Sequence, residues 1–111
     1  MPGPAANLVS GPETPAQFLE GHLRLIEFFA EWCPYSLLLK RKMEKLGQLY
    51  GSRIAASRID VEAHPEIADA LQVEYIPAIL VLHEGKVVQR WYGDTPMTCI
   101  CGVVNEYLRD C

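Results

Sequence analysis

The stretch Phe28-Phe29-Ala30-Glu31-Trp32-Cys33-Pro34-Tyr35-Ser36 constrains the fold of this chain more than any other. It closes an apolar run over residues 23–30 and turns abruptly at a Trp-Cys-Pro corner. A short apolar run of that length suits the centre of a sheet. Pro34 suits the first position of a helix, where a missing N–H leaves nothing unpaired. Cys33 is then expected at or next to the helix N-cap. Free N–H groups and the positive end of the helix dipole favour an anion there, which predicts a nucleophilic Cys33 thiolate. The plainer reading is a small buried hydrophobe, the usual fate of a free cysteine.

Period and punctuation supply the flanking elements. Residues 1–13 read as a loose leader, with residues 7–10 as a candidate edge strand. Thr14 can cap a short helix with Pro15 at its first position, ended by Gly21-His22. A helix is predicted over residues 34–49, with Leu39, Met43, Leu46 and Leu49 inward and Lys40, Arg41, Lys42 and Lys45 in solvent. Tyr50-Gly51-Ser52 stops it, and a strand follows over residues 53–59. A turn at residues 60–63 leads to a short helix over residues 65–71.

Residues 78–83 and 86–92 read as strands joined by Glu84-Gly85, the two-residue link of a tight antiparallel hairpin. Thr95 or Asp94 can cap a last helix over residues 96–109, with Ile100, Val103, Val104, Tyr107 and Leu108 inward. The order β-α-β-α-β-α-β-β-α implies an α/β domain spanning residues 1–111. A mixed sheet of four to five strands is expected, parallel in one half and antiparallel in the other, with helices on both faces.

A chain of 111 residues can bury a core without staples. Its formal charge of −4 offers no electrostatic case for nucleic acid or an anionic membrane. No lysine or arginine precedes Arg24, which argues against a signal or transit peptide. The longest apolar run, over residues 76–82, is too short to span a bilayer. Cys99, Cys101 and Cys111 are not spaced as a disulfide framework or a zinc site, and a reducing compartment is expected. That compartment is the cytoplasm, or the mitochondrial matrix if a presequence has been removed.

Several side chains are candidates for chemistry around Cys33. Ser36 lies one turn on; it can donate to the Cys33 sulfur or bond backbone in the first helical turn. Glu27 interrupts an apolar strand and, by period two, faces the same side as Phe29. A carboxyl buried behind an active thiol would have a raised pKa and could relay a proton. The alternative is a surface glutamate on a sheet edge. Trp32 and Tyr35 flank the thiol and, with Ile76, form either a contact patch for protein partners or local packing. Pro77 heads a strand, a position proline tolerates. His64, His83 and Arg58 read as surface residues.

Trp32-Cys33-Pro34-Tyr35-Ser36, with Ile76-Pro77 later, resembles the thioredoxin family, whose strand–helix corner carries Trp-Cys-x-x-Cys. The resemblance covers nearly the whole chain and implies the thioredoxin fold, thiol–disulfide oxidoreductase activity and no cofactor. It implies that Ile76–Pro77 is cis and faces Cys33, leaving the Ile76 backbone free to pair with an extended substrate. Glu27 matches the family's buried acidic position. The departure is Ser36, where the family has its second cysteine. A hydroxyl cannot attack a mixed disulfide, so release would need an external thiol.

Serine here has three origins consistent with the sequence: a natural monothiol site, an introduced substitution, or a remote resolving thiol at Cys99 or Cys101. Cys-Pro-Tyr-Ser also resembles the monothiol glutaredoxins, many of which bind glutathione and a [2Fe-2S] cluster. Trp32 and Tyr75-Ile76-Pro77 side with the thioredoxins. The expected partners are protein disulfides, with glutathione or a thioredoxin-type reductase as electron donor, and the chain is expected to be a monomer or weak dimer. The alternatives are a redox-sensitive binding or chaperone-like module and a [2Fe-2S] carrier.

Overall fold

The structure is a computed structural model that describes Leu8–Ser10 as backbone and residues 23–109 in full. The rest of the leader, the Thr14-capped helix and Cys111 lie outside the described residues. Strand β1 (Leu8–Ser10) is followed by β2 (Leu23–Phe29), helix α1 (Ser36–Tyr50), β3 (Ala55–Asp60), α2 (Pro65–Ala70), β4 (Ala78–His83), β5 (Lys86–Tyr92) and α3 (Met97–Leu108). The five strands form one sheet in the order β1-β3-β2-β4-β5. β2 runs parallel to β3 and antiparallel to β4, so it lies at the centre. β1 adds a parallel edge beside β3.

Period two divides β2 between two cores. Leu23 and Leu25 join Ile79 and Val81 under α1 and α3, where Leu39, Met43, Leu46, Ile100 and Val104 are buried. Ile26 and Phe28 face the other way, with Ile59, Leu80 and Leu82, onto Ile67, Ala68 and Leu71 in and after α2. Burial of each such side chain contributes about 1.5–3 kcal/mol relative to exposure. Among the described helices no side-chain N-cap bond is made, so packing rather than capping holds them.

The helix predicted over residues 34–49 begins two residues later, at Ser36, and Tyr50 replaces Leu49 as its last inward residue. At about 100° per residue, Tyr50 lies within about 20° of Leu39 on the helix wheel, whereas Leu49 is about 80° away. Leu49 is accordingly 63% exposed and Tyr50 is 6% exposed. The Tyr50 hydroxyl donates to Asn105 Oδ1 at 2.7 Å, joining the end of α1 to α3. Gly51, at φ +58°, leads into a single 3₁₀ turn, Gly51–Arg53, and this delays β3 to Ala55.

The β4–β5 hairpin turns on Glu84 and Gly85, both with positive φ as a type I′ turn requires. The expected cap of α3 is not made. The helix starts at Met97 with Pro96, which has no side-chain oxygen, at its N-cap; Thr95 and Asp94 lie upstream, where Thr95 donates to the Gly93 carbonyl and Asp94 pairs with Lys42. The histidines expected in solvent are half-buried: His64 lies 3.6 Å from Glu66, and the His83 ring packs on Tyr107. Val103 and Tyr107 line the margin of the core, outside the buried row of Ile100, Val104 and Leu108.

Candidate active site

The corner after β2 is two linked turns. The Cys33 N–H donates to the Ala30 carbonyl at 3.0 Å, and the Ser36 N–H donates to the Cys33 carbonyl at 3.1 Å. Pro34 therefore occupies the second position of a four-residue turn and not the first position of the helix. Its fixed φ suits that position, and Tyr35 at φ −85°, ψ −5° completes a type I turn that feeds into α1. Cys33 sits one turn ahead of the first helical residue. It is a free thiol, 8% exposed.

Ser36 is buried, and its hydroxyl donates to the Ala30 carbonyl at 2.7 Å. Ala30 thus accepts from both Cys33 and Ser36, which ties the helix start to the end of the strand. Of the two roles expected for Ser36, the structure shows the bond to backbone; the hydroxyl does not donate to the Cys33 sulfur.

Beneath this corner lies an ion pair that corrects the reading of Arg58 as a surface charge. Glu27 is fully buried, and Arg58 is 7% exposed. They are register partners on the parallel strands β2 and β3. Arg58 Nε donates to Glu27 Oε1 at 2.6 Å and a terminal nitrogen donates to Glu27 Oε2 at 3.4 Å. That same nitrogen reaches the Ser36 carbonyl at 3.4 Å, and the guanidinium carbon lies 4.0 Å from the centre of the Phe29 ring. Burial pushes the Glu27 carboxyl above its usual range, while the hydrogen bond and charge of Arg58 oppose that shift. The edge-strand alternative for Glu27 fails because β2 is central.

Across β2 from Arg58 lies the Ile76–Pro77 peptide, which is cis. Ala78 pairs with Phe28, so Pro77 and Ile76 run beside the end of β2 from which the Cys33 corner springs. The Pro77 carbonyl accepts from the Gly93 N–H at 2.8 Å. Ile76 is half-buried against the α2-side core. Trp32 is 66% exposed, and its indole N–H donates to Glu62 Oε2 at 3.0 Å. Tyr35 is exposed, and Tyr75 packs edge-on against Tyr92 at 5.6 Å.

Comparison with known proteins settles the family. The thioredoxin family model matches residues 15–106, most of the chain. The chain belongs to the thioredoxin family. It is 33% identical over 84 residues to the thioredoxin of Bacillus subtilis, covering 76% of this chain and 81% of that one. The thioredoxin of Chlorobaculum thiosulfatiphilum is 29% identical over 84 residues, covering 76% and 78%. In three dimensions, a mutant thioredoxin from Halobacterium salinarum superposes with a TM-score of 0.82 over 97% of this chain and 96% of that one, at 19% identity. The sheet and helices therefore form the thioredoxin fold, and the thioredoxin family chemistry is thiol–disulfide exchange with protein substrates.

Within this thioredoxin-family site, sequence reasoning missed Arg58 and Lys40. Lys40 joins Glu31, Cys33, Ser36 and Arg58 around a shallow groove of about 400 Å³ on the β3 side of the corner. Arg58 had one sequence signal: on a strand that alternates, it shares a face with Ala56, which the α1-side core buries. Nothing in the sequence marks which strand lies next to Glu27.

Proposed function

We propose that this thioredoxin-family protein exchanges disulfides through Cys33 alone. The Cys33 thiolate attacks one sulfur of a protein disulfide held along Ile76–Pro77. A new S–S bond forms to Cys33, and the other substrate sulfur leaves as thiolate. The observation that carries the reading is Ser36: the residue one turn from Cys33 bears a hydroxyl already committed to the Ala30 carbonyl. No second sulfur is present there to break the mixed disulfide, so an external thiol completes the cycle. Glu27 is assigned the proton exchanged with Cys33, since burial favours its protonated form. The free thiols at Cys33, Cys99 and Cys101 support a reducing compartment.

Mass spectrometry of protein mixed with an oxidised peptide should find the peptide on Cys33. Reduction of a protein disulfide should be driven by glutathione but not by a thioredoxin reductase. Finding the peptide equally on Cys33 and Cys99, or not on Cys33 at all, would remove the basis of the proposal. A second reading, a binding module, is favoured by the exposed aromatic set Trp32, Tyr35, Tyr75 and Tyr92 around the site. Suppression of aggregation that survives Cys33→Ser would select it.

A further inference from the structure

The groove beside Cys33 is lined by Arg58 and by neither Ile76 nor Pro77, the residues assigned to the protein substrate. β2 lies between β3, which carries Arg58, and β4, which Ile76–Pro77 precedes. The two therefore flank the end of β2 on opposite sides. Arg58 lines the groove with Glu31, Cys33, Ser36 and Lys40. Disulfide exchange proceeds by attack of a thiolate along the line of the bond being broken. With the substrate sulfur on the Ile76–Pro77 side of Cys33, a thiol that attacks the Cys33 sulfur must arrive from the other side. The groove occupies that side, and Ser36 forms part of its wall.

The groove also carries charge of both signs. Lys40 and Glu31 are exposed, and neither side chain has an ion-pair or hydrogen-bond partner among the described residues. The guanidinium of Arg58 is committed on one edge to Glu27 and Ser36. A ligand with one carboxylate and one ammonium would answer Lys40 and Glu31 together, whereas a neutral thiol would gain nothing from either. The volume of about 400 Å³ falls in the range of roughly 300–1,000 Å³ usual for small-molecule sites. Its shallowness suits a co-substrate that binds weakly and leaves quickly.

We infer that this groove seats the resolving thiol, a small zwitterionic thiol of the glutathione class, with Lys40 on its carboxylate and Glu31 on its ammonium. The inference rests on the monothiol reading above. The incoming thiolate attacks the Cys33 sulfur, forms a new S–S bond and expels the substrate sulfur as thiolate. A second molecule of the same thiol attacks the first one's sulfur, giving its symmetrical disulfide and returning the Cys33 thiolate. Two thiols are oxidised and one substrate disulfide is reduced.

The test uses the full chain with Cys99, Cys101 and Cys111 changed to serine, and a nitrothiobenzoate adduct on Cys33. Release of the coloured nitrothiobenzoate anion gives the rate for each added thiol. The comparison is made within one thiol, variant against parent, so intrinsic thiol reactivity cancels. Lys40→Glu should slow glutathione and mercaptoacetate about fivefold while 2-mercaptoethanol changes by less than about twofold, and salt should shrink the difference. Glu31→Gln should slow glutathione and cysteamine but not mercaptoacetate. Lys45→Glu, the same change of charge further along α1, should leave all four rates within about twofold.

The proposal is overturned if Lys40→Glu leaves glutathione unchanged, or slows the charged and neutral thiols by one common factor. Failure of the underlying monothiol reading has a different signature: Cys33 does not form the adduct, or no thiol releases it.

Discussion

Arg58→Met is expected to be the most damaging single change near the site that leaves Cys33 itself intact. It removes both nitrogens that hold the Glu27 carboxylate, at 2.6 and 3.4 Å, and leaves a carboxyl with no exposed surface. Breaking one side of a buried pair costs about 3–5 kcal/mol, because the remaining charge is neither solvated nor compensated. That is a large share of the ~5–15 kcal/mol that holds a typical domain together. With a denaturant slope of about 1.5 kcal/mol/M, the urea midpoint should fall by about 2–3 M.

The sign of the pH dependence follows from Glu27. Burial already raises its pKa above the usual 4.5, and loss of Arg58 removes the two influences that lower it. Above 4.5 the folded variant then holds more protons than the unfolded chain, so its stability falls as pH rises until the folded-state pKa is passed. The defect should be smallest near the unfolded carboxyl range and should grow as pH rises above it. The double variant Glu27→Leu with Arg58→Met should recover most of the loss, since a well-packed apolar pair can replace a buried ion pair at little cost. Urea titrations of the parent, both single variants and the double variant at two pH values complete the cycle. A loss below about 1 kcal/mol at neutral pH, or a double variant as unstable as Arg58→Met, would refute the reasoning.

Ser36→Ala should lower stability by about 1 kcal/mol through loss of the 2.7 Å bond to Ala30, read from the thermal or urea midpoint. Ser36→Cys makes the same sacrifice but installs a second thiol one turn from Cys33; turnover in an insulin-reduction assay driven by a thioredoxin reductase should appear where the parent has none. The Tyr50 phenol, raised from 10.0 to about 12 by burial and then by its neighbour Cys101, should give a late step in an ultraviolet pH titration that Tyr50→Phe removes. Because the folded form holds that proton longer, its contribution to stability declines as pH climbs from about 10 toward 12. Lys42→Met, which removes the 2.6 Å contact with Asp94, should cost no more than about 1 kcal/mol, since Asp94 is half in solvent.

The parts of this protein legible in its sequence are those decided over a few residues. The Glu84-Gly85 hairpin follows from backbone sterics within one turn, and both residues take the left-handed conformation that such a turn needs. The corner at Cys33, the burial of Glu27 and the two apolar faces of β2 follow from proline geometry and from the strand's period of two. Capping failed as a guide at α3 because the helix starts at Met97 behind Pro96, which leaves Asp94 and Thr95 upstream of the N-cap, bonded to Lys42 and the Gly93 carbonyl.

What the tertiary structure decided is who stands next to whom. A parallel pair brings together residues far apart in the chain, and its register carries no short-range signal. Glu27 meets Arg58 only because β3 docks beside β2 with that pairing. That contact turns a nominal surface arginine into the counter-charge beneath the thiol. The Ser36 hydroxyl likewise meets the Ala30 carbonyl rather than the Cys33 sulfur because of the path of two successive turns. The groove of Lys40, Glu31 and Arg58 exists only where α1 and β3 converge. Composition and period establish that this chain builds a sheet with a reactive corner; packing alone selects the charges that surround the corner.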